Sequence, residues 1–232
     1  MQVTKLNHPV STAIFNKLLT ELPTLSGGTH FTLGGISLEI EGKDGLGGLI
    51  EEWFGAWAKS KGFSIYNPKF VDGTSQEFPD YYVGDFKDGY LEIKTFDSDA
   101  SPNFDIANFE SYCESLSNKP HRLFSDYLIF SYRLEGAKLS IDKVWLKKIW
   151  EITCASAAYP LKTQNKRGII YNIRPATFHS ASARVSRFPI FNSPSKFIDA
   201  LYQTQLQYNK KTADRLLFEQ NLAANGIDLN NL

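Results

Sequence analysis

FPDYYV, residues 78–83, and YLEIKTF, residues 90–96, are the two stretches whose reading decides the fold. In the second, Leu91, Ile93 and Thr95 alternate with Tyr90, Glu92, Lys94 and Phe96, the two-residue period of a strand with two unlike faces. Glu92 and Lys94 therefore share a face, about 7 Å apart at roughly 3.3 Å per residue. The first stretch predicts a second strand, joined to it through the turn residues 85–89, and it carries Asp80 directly behind Pro79. Two carboxylates from neighbouring strands form a donor set for a hard divalent cation. Phosphodiester hydrolysis needs charge neutralisation, an activated water and a stabilised leaving oxygen, and such a cation assists all three. Asp80 and Glu92 are thus candidate Mg²⁺ ligands, with the carbonyl of Ile93 as a further one. Lys94 is the candidate to orient or deprotonate the attacking water and to offset charge on phosphorus.

Upstream, Leu46, Leu49, Ile50, Trp53, Phe54, Trp57 and Ala58 recur at helical spacing, and Gly62 closes the run. Residues 63–66 read as a strand, 11–22 as an amphipathic helix and 36–40 as a short strand. Downstream, Ser101 as cap and Pro102 at the first helical position predict a helix through Leu116. Residues 126–134 read as a buried strand, 141–152 as helix or strand, 168–173 as a strand, and 195–208 and 212–225 as helices. This order predicts an α/β fold, a mixed central sheet flanked by helices. At 232 residues we expect one domain spanning 1–232, with a core at 44–134 and a basic elaboration at 139–232.

The formal net charge is zero, yet residues 159–215 hold ten Lys or Arg against two Asp. Such asymmetry points to a polyanion-facing surface, with a solvated basic face as the plainer reading. Within residues 161–174, Lys162, Lys166, Arg167 and Arg174 are candidate phosphate anchors. Gln164, Asn165 and the arginines can read adenine or guanine edges. Arg184 and Arg187 extend the basic surface. Cys113 and Cys154 are too few for a disulfide framework, no signal peptide or membrane span is legible, and a reducing cytoplasm is expected. Gly45, Gly47 and Gly48 lack the Lys and Ser or Thr of a phosphate-binding loop, no serine elbow occurs, and the four histidines are scattered.

With Pro79, Asp80, Glu92 and Lys94 in place, an apolar residue before Glu92 and an amphipathic helix upstream, the chain resembles the PD-(D/E)xK nucleases. That resemblance implies that Asp80 and Glu92 bind metal and that Lys94 is the catalytic lysine. It also implies a helix-borne glutamate near the metal: Gly47, Glu51 and Phe54 match the setting, with Glu52 as the neighbouring alternative. In some relatives an amide residue and a tyrosine one turn apart lie near DNA, a spacing that Asn108 and Tyr112 share. Asp97, Asp99 and Asp105 could add a second metal, or serve as turn and helix-start residues. EFPDYYV with YLEIKTFD, then SPNFDIANFESY and KRGIIYNIRP, is similar to small type II restriction endonucleases of the NgoBV-like family, which cut GGNNCC, from Asp44 onward. The likeness implies double-stranded DNA as substrate and a homodimer on a two-fold symmetric site. The competing readings are a structure-selective or repair nuclease with the same core, and a non-enzymatic DNA-binding α/β module in which the motif is coincidental.

Overall fold

The computed structural model describes residues 6–68, 78–85, 88–180 and 187–229. In chain order come α1 (Pro9–Glu21), β1 (Ser26–Gly28), β2 (His30–Leu33), β3 (Ile36–Glu39), α2 (Leu46–Ser60), β4 (Ile65–Tyr66), β5 (Tyr81–Val83) and β6 (Gly89–Asp97). They are followed by β7 (Ala107–Asn108), α3 (Phe109–Asn118), β8 (Asp126–Glu135) and β9 (Lys138–Lys148). The remainder is β10 (Thr163–Lys166), β11 (Ile169–Ile173), α4 (Pro194–Asn209) and α5 (Ala213–Ala224). Two compact units result. One comprises Asn7–Ser101 and Asp126–Leu146; the other is built chiefly from Pro102–Ser125 and Lys147–Leu232.

The first unit centres on a six-stranded sheet in the order β1-β9-β8-β6-β5-β4. β6 runs antiparallel to β5 and parallel to β8, so the sheet is mixed, as expected. One face of β6 and β8 carries Leu91, Ile93, Leu128, Phe130 and Tyr132, which form a core with α1 and α2. The aromatic stripe of α2 packs on this face: Phe54 meets Tyr81 edge-on at 5.4 Å, and Trp53 meets Phe130 edge-on at 6.2 Å. Each fully buried side chain of this kind contributes about 1.5–3 kcal/mol. The ends of the two helices are tied by Glu21, whose carboxylate accepts from Trp57 Nε1 at 2.9 Å and pairs with Lys61 at 2.8 Å and Lys17 at 3.0 Å. The hydrogen bond from Lys61, with those from Trp57 and Lys17, holds this carboxyl down at about 2.

Helix α2 seats closely on the sheet at Gly47 and Gly55. A Cβ on Gly55 would lie 2.4 Å from Tyr81 Oη, and one on Gly47 would lie 3.0 Å from Thr95 Oγ1. Gly55→Val is therefore expected to destabilise by about 2 kcal/mol, because overpacking costs roughly 1–3 kcal/mol and valine brings little helix propensity in return. Thermal denaturation checks this: Tm should fall by about 4–8 °C, at roughly 2–4 °C per kcal/mol in a chain of this size.

In the second unit, β10, β11 and β7 form a three-stranded antiparallel sheet beside α3, α4 and α5. The helix expected from Ser101 begins instead at Phe109. Ala107 and Asn108 pair with Ile173 and Asn172, which holds them extended, and the Asn108 side chain then accepts from Ser111 N at 3.1 Å as the cap. The ambiguous residues 141–152 are the strand β9 followed by a 3-10 turn, Ile149–Glu151. No helix among the described residues is long and apolar enough to cross a membrane.

Candidate active site

Asp80 immediately precedes β5, and the β5–β6 register pairs Tyr81 with Leu91 and Tyr82 with Tyr90. One step further along that register sets Asp80 opposite Glu92, and cross-strand partners share a face. The backbone locks both side chains in place. Asp80 N donates to Glu92 Oε2 at 3.1 Å, and Ile93 N donates to Asp80 Oδ2 at 2.7 Å. The two carboxyl groups are also within hydrogen-bonding reach of each other. Lys94 Nζ stands 3.6 Å from Glu92 Oε1, and Glu92 is only 6 % exposed.

Electrostatics follows from this crowding. Burial, and next the Glu92 charge beside it, push the Asp80 carboxyl up to about 8, against the opposing pull of Lys94. Burial disfavours the Lys94 ammonium, but Glu92, Asp80 and Glu51 together outweigh it, and the group is held above its ordinary value. At neutral pH the carboxylate pair thus retains a proton beside a fixed ammonium. A dication in the proton's place would neutralise the pair more fully, so the donor set suits such an ion. Among the described residues no cluster of three or more His, Cys, Asp or Glu is placed to hold a metal, so the side-chain donors here are the two carboxylates.

Glu51 is half-buried and its charge is among the leading influences on Asp80, Lys94 and Tyr81; Glu52 is exposed and its charge is felt at Tyr81, less than that of Glu51. Tyr81 fixes the helix here, its hydroxyl donating to the Glu51 carbonyl oxygen at 3.0 Å, with burial raising the phenol to about 12. No sequence pattern announces this contact, since a tyrosine on an apolar strand face reads as packing. If the pair is the metal-binding cleavage centre that the resemblance implies, Glu51→Gln is expected to lower the cleavage rate by about tenfold, as loss of a group beside a metal site does, and Glu52→Gln by less than about twofold. Parallel kinetics of the two variants distinguish them.

The basic residues divide by their partners. Lys162 Nζ donates to the Pro175 carbonyl oxygen at 2.8 Å, and Arg174 is paired with Asp105. Gln164 accepts from Asn172 at 3.3 Å, while Asn165 accepts from Gly168 N at 3.1 Å and closes the β10–β11 hairpin. Lys166 and Arg167 are exposed at that hairpin's tip, where Arg167 and Gly168 both adopt positive φ, 55° and 80°. Arg187 is exposed, its guanidinium 5.2 Å from the Phe188 ring centroid; Arg184 lies outside the described residues. Asn108 is the cap of α3, and Tyr112 is wholly buried. Asp97 pairs with Lys43, Asp99 with Arg133 at 3.3 Å and Asp105 with Arg174, so these acids have structural partners.

Comparison with known proteins converges on one group. The sequence profile of the NgoBV restriction endonuclease family matches residues 9–226, beginning well ahead of Asp44. The type II restriction enzyme NlaIV of Neisseria lactamica is 34% identical over 199 residues, covering 84% of this chain and 79% of the relative. The type II restriction enzyme NgoBV of Neisseria gonorrhoeae is 32% identical over 162 residues, covering 66% and 88%. Among solved structures, an NlaIV restriction endonuclease superposes with a TM-score of 0.83 at 28% identity, covering 97% of this chain and 93% of that one.

Proposed function

The chain belongs to the NgoBV restriction endonuclease family and is a type II restriction enzyme, and from that premise we propose that its chemistry runs on Mg²⁺ held between Asp80 and Glu92. Membership makes it a site-specific deoxyribonuclease acting on double-stranded DNA, and implies a divalent metal cofactor. The observation that carries the Mg²⁺ reading is the pair itself: a half-buried Asp80 and a buried Glu92 across one register position, with an ammonium group 3.6 Å from Glu92. Hard oxygen donors suit Mg²⁺. When bound, the ion would polarise the scissile phosphate and acidify a water. In this proposal Asp80, Glu92 and the Ile93 carbonyl are the ligands, Lys94 orients the attacking water and offsets phosphorane charge, and Glu51 approaches from the helix.

DNA contact is proposed for the second unit. Lys166 and Arg167 at the hairpin tip, with Arg187, are exposed cations that can meet phosphates or guanine edges, and Gln164 and Asn165 border them. Lys162 and Arg174, already bonded within the protein, are better placed to brace this surface than to read bases. Asn108, as a cap, braces likewise. A two-fold symmetric GGNNCC target and a homodimer complete the proposal, with the reducing cytoplasm as its setting, which the two unpaired buried cysteines suit. Digestion of unmethylated plasmid tests it. Discrete Mg²⁺-dependent fragments mapping to GGNNCC are expected, and none in EDTA; cutting confined to junctions or flaps would refute it.

A further inference from the structure

We propose that Tyr81 and Asn67 are positioning residues for the cleavage centre, a two-bond relay that sets the Glu51 carboxylate relative to Asp80 and Lys94. The inference rests on the reading above that Glu51 approaches the metal from the helix.

Sheet register brings the relay together. β4 pairs with β5 through Ile65 and Val83 and through Tyr66 and Tyr82. One step further sets Asn67 opposite Tyr81, and cross-strand partners share a face. On its other side β5 pairs Tyr81 with Leu91, and both side chains belong to the core that α2 covers. The Tyr81 hydroxyl is bonded in both directions. It donates to the Glu51 carbonyl oxygen at 3.0 Å and accepts from the Asn67 side-chain amide. The residue is only 4 % exposed, and its ring meets Phe54 edge-on at 5.4 Å.

Packing alone does not call for this hydroxyl. An α-helix already gives the carbonyl of residue 51 the amide four residues on, that of Gly55. The phenol is a second partner, and it fits because residue 55 has no side chain: a Cβ there would lie 2.4 Å from Tyr81 Oη. A phenylalanine would fill the same space and leave no polar group to satisfy. What the hydroxyl adds is registration of the helix against the strand. It ties the backbone of Glu51 to the residue that directly follows Asp80, so the two carboxyl-bearing positions keep a fixed separation. The Glu51 charge is felt at Asp80, Lys94 and Tyr81 alike, as a carboxylate held close to the site requires.

Single-turnover cleavage of unmethylated plasmid across Mg²⁺ concentration tests this on the wild type, Tyr81→Phe, Glu51→Gln and the double variant. Tyr81→Phe is expected to raise the Mg²⁺ concentration for half-maximal rate, and to lower the maximal rate, by about fivefold each, short of the roughly tenfold that loss of a group beside a metal site costs. In the Glu51→Gln background the same change should cost less than about 1.5-fold, because a residue that acts through Glu51 then has nothing left to position. A merely structural hydroxyl would weaken both backgrounds equally. Asn67→Ala should follow the same pattern at about twofold, with circular dichroism unchanged. Wild-type Mg²⁺ dependence in Tyr81→Phe, or equal losses in the two backgrounds, would overturn the relay while leaving Glu51 in its role. Wild-type Mg²⁺ dependence in Glu51→Gln would overturn both.

Discussion

Lys94→Ala is expected to slow single-turnover cleavage by about a thousandfold, within the roughly 10²–10⁴ that a positioned proton-transfer or charge-stabilising group supplies. DNA affinity should change little, because the proposed phosphate contacts lie on residues 166, 167 and 187 of the other unit. A second readout separates this role from a merely structural one. The Lys94 charge pulls the Asp80 carboxyl down against burial and against Glu92. Without it the pair attracts any cation more strongly, a dication about twice as strongly as a proton, so the divalent-ion concentration needed for half-maximal rate should fall even as the maximal rate collapses. Rates measured across Mg²⁺ concentration at two pH values check both effects.

Asp80→Asn should lose cleavage by at least about a hundredfold, as removal of a metal ligand or charge-stabilising group does, yet stabilise the metal-free protein. Burial holds the folded-state Asp80 carboxyl at about 8, against an ordinary value of 3.8. An unfolded chain therefore gives up this proton near pH 4 while the folded chain keeps it. Stability is fully present below the unfolded value and is lost as pH rises towards 8, after which it levels. Asparagine cannot ionise, and it retains an oxygen for the Ile93 amide. In EDTA the Tm advantage of the variant should grow from pH 5 to pH 8, reaching a few degrees for a gain on the order of 1–2 kcal/mol. Differential scanning calorimetry over that range measures it. A variant no more stable than wild type at pH 8 would mean that the carboxylate pair is not mutually strained.

The elements governed by local periodicity were legible in the sequence: the strand bearing Glu92 and Lys94, and the helix packed on the opposite face of the sheet. Those governed by distant pairing were not. Ala107 and Asn108 become a strand because β11 presents its edge to them, and this moved the helix start from Ser101 to Phe109. Ser26–Gly28 becomes an edge strand on β9, although a Ser-Gly-Gly run has no side-chain pattern to announce it. Within the site, Asp80, Glu92 and Lys94 could be named because strand period and chemistry coincide. The choice between Glu51 and Glu52 depends on the rotation of α2, which Tyr81, Gly55 and the Gly47–Thr95 approach fix. Nor could basic residues be sorted from sequence, because Lys162 and Arg174 look like Lys166 and Arg167 until their partners are seen.

Titration with Mn²⁺, followed by the loss of its free-ion paramagnetic resonance signal, tests most directly whether Asp80 and Glu92 close on one cation. Bound to a cleavage-resistant GGNNCC duplex at pH 7.5, the wild-type protein should take up the ion, and Asp80→Asn and Glu92→Gln should each bind it at least about tenfold more weakly, as loss of a ligating carboxylate dictates. Equal uptake by all three proteins would place the metal elsewhere.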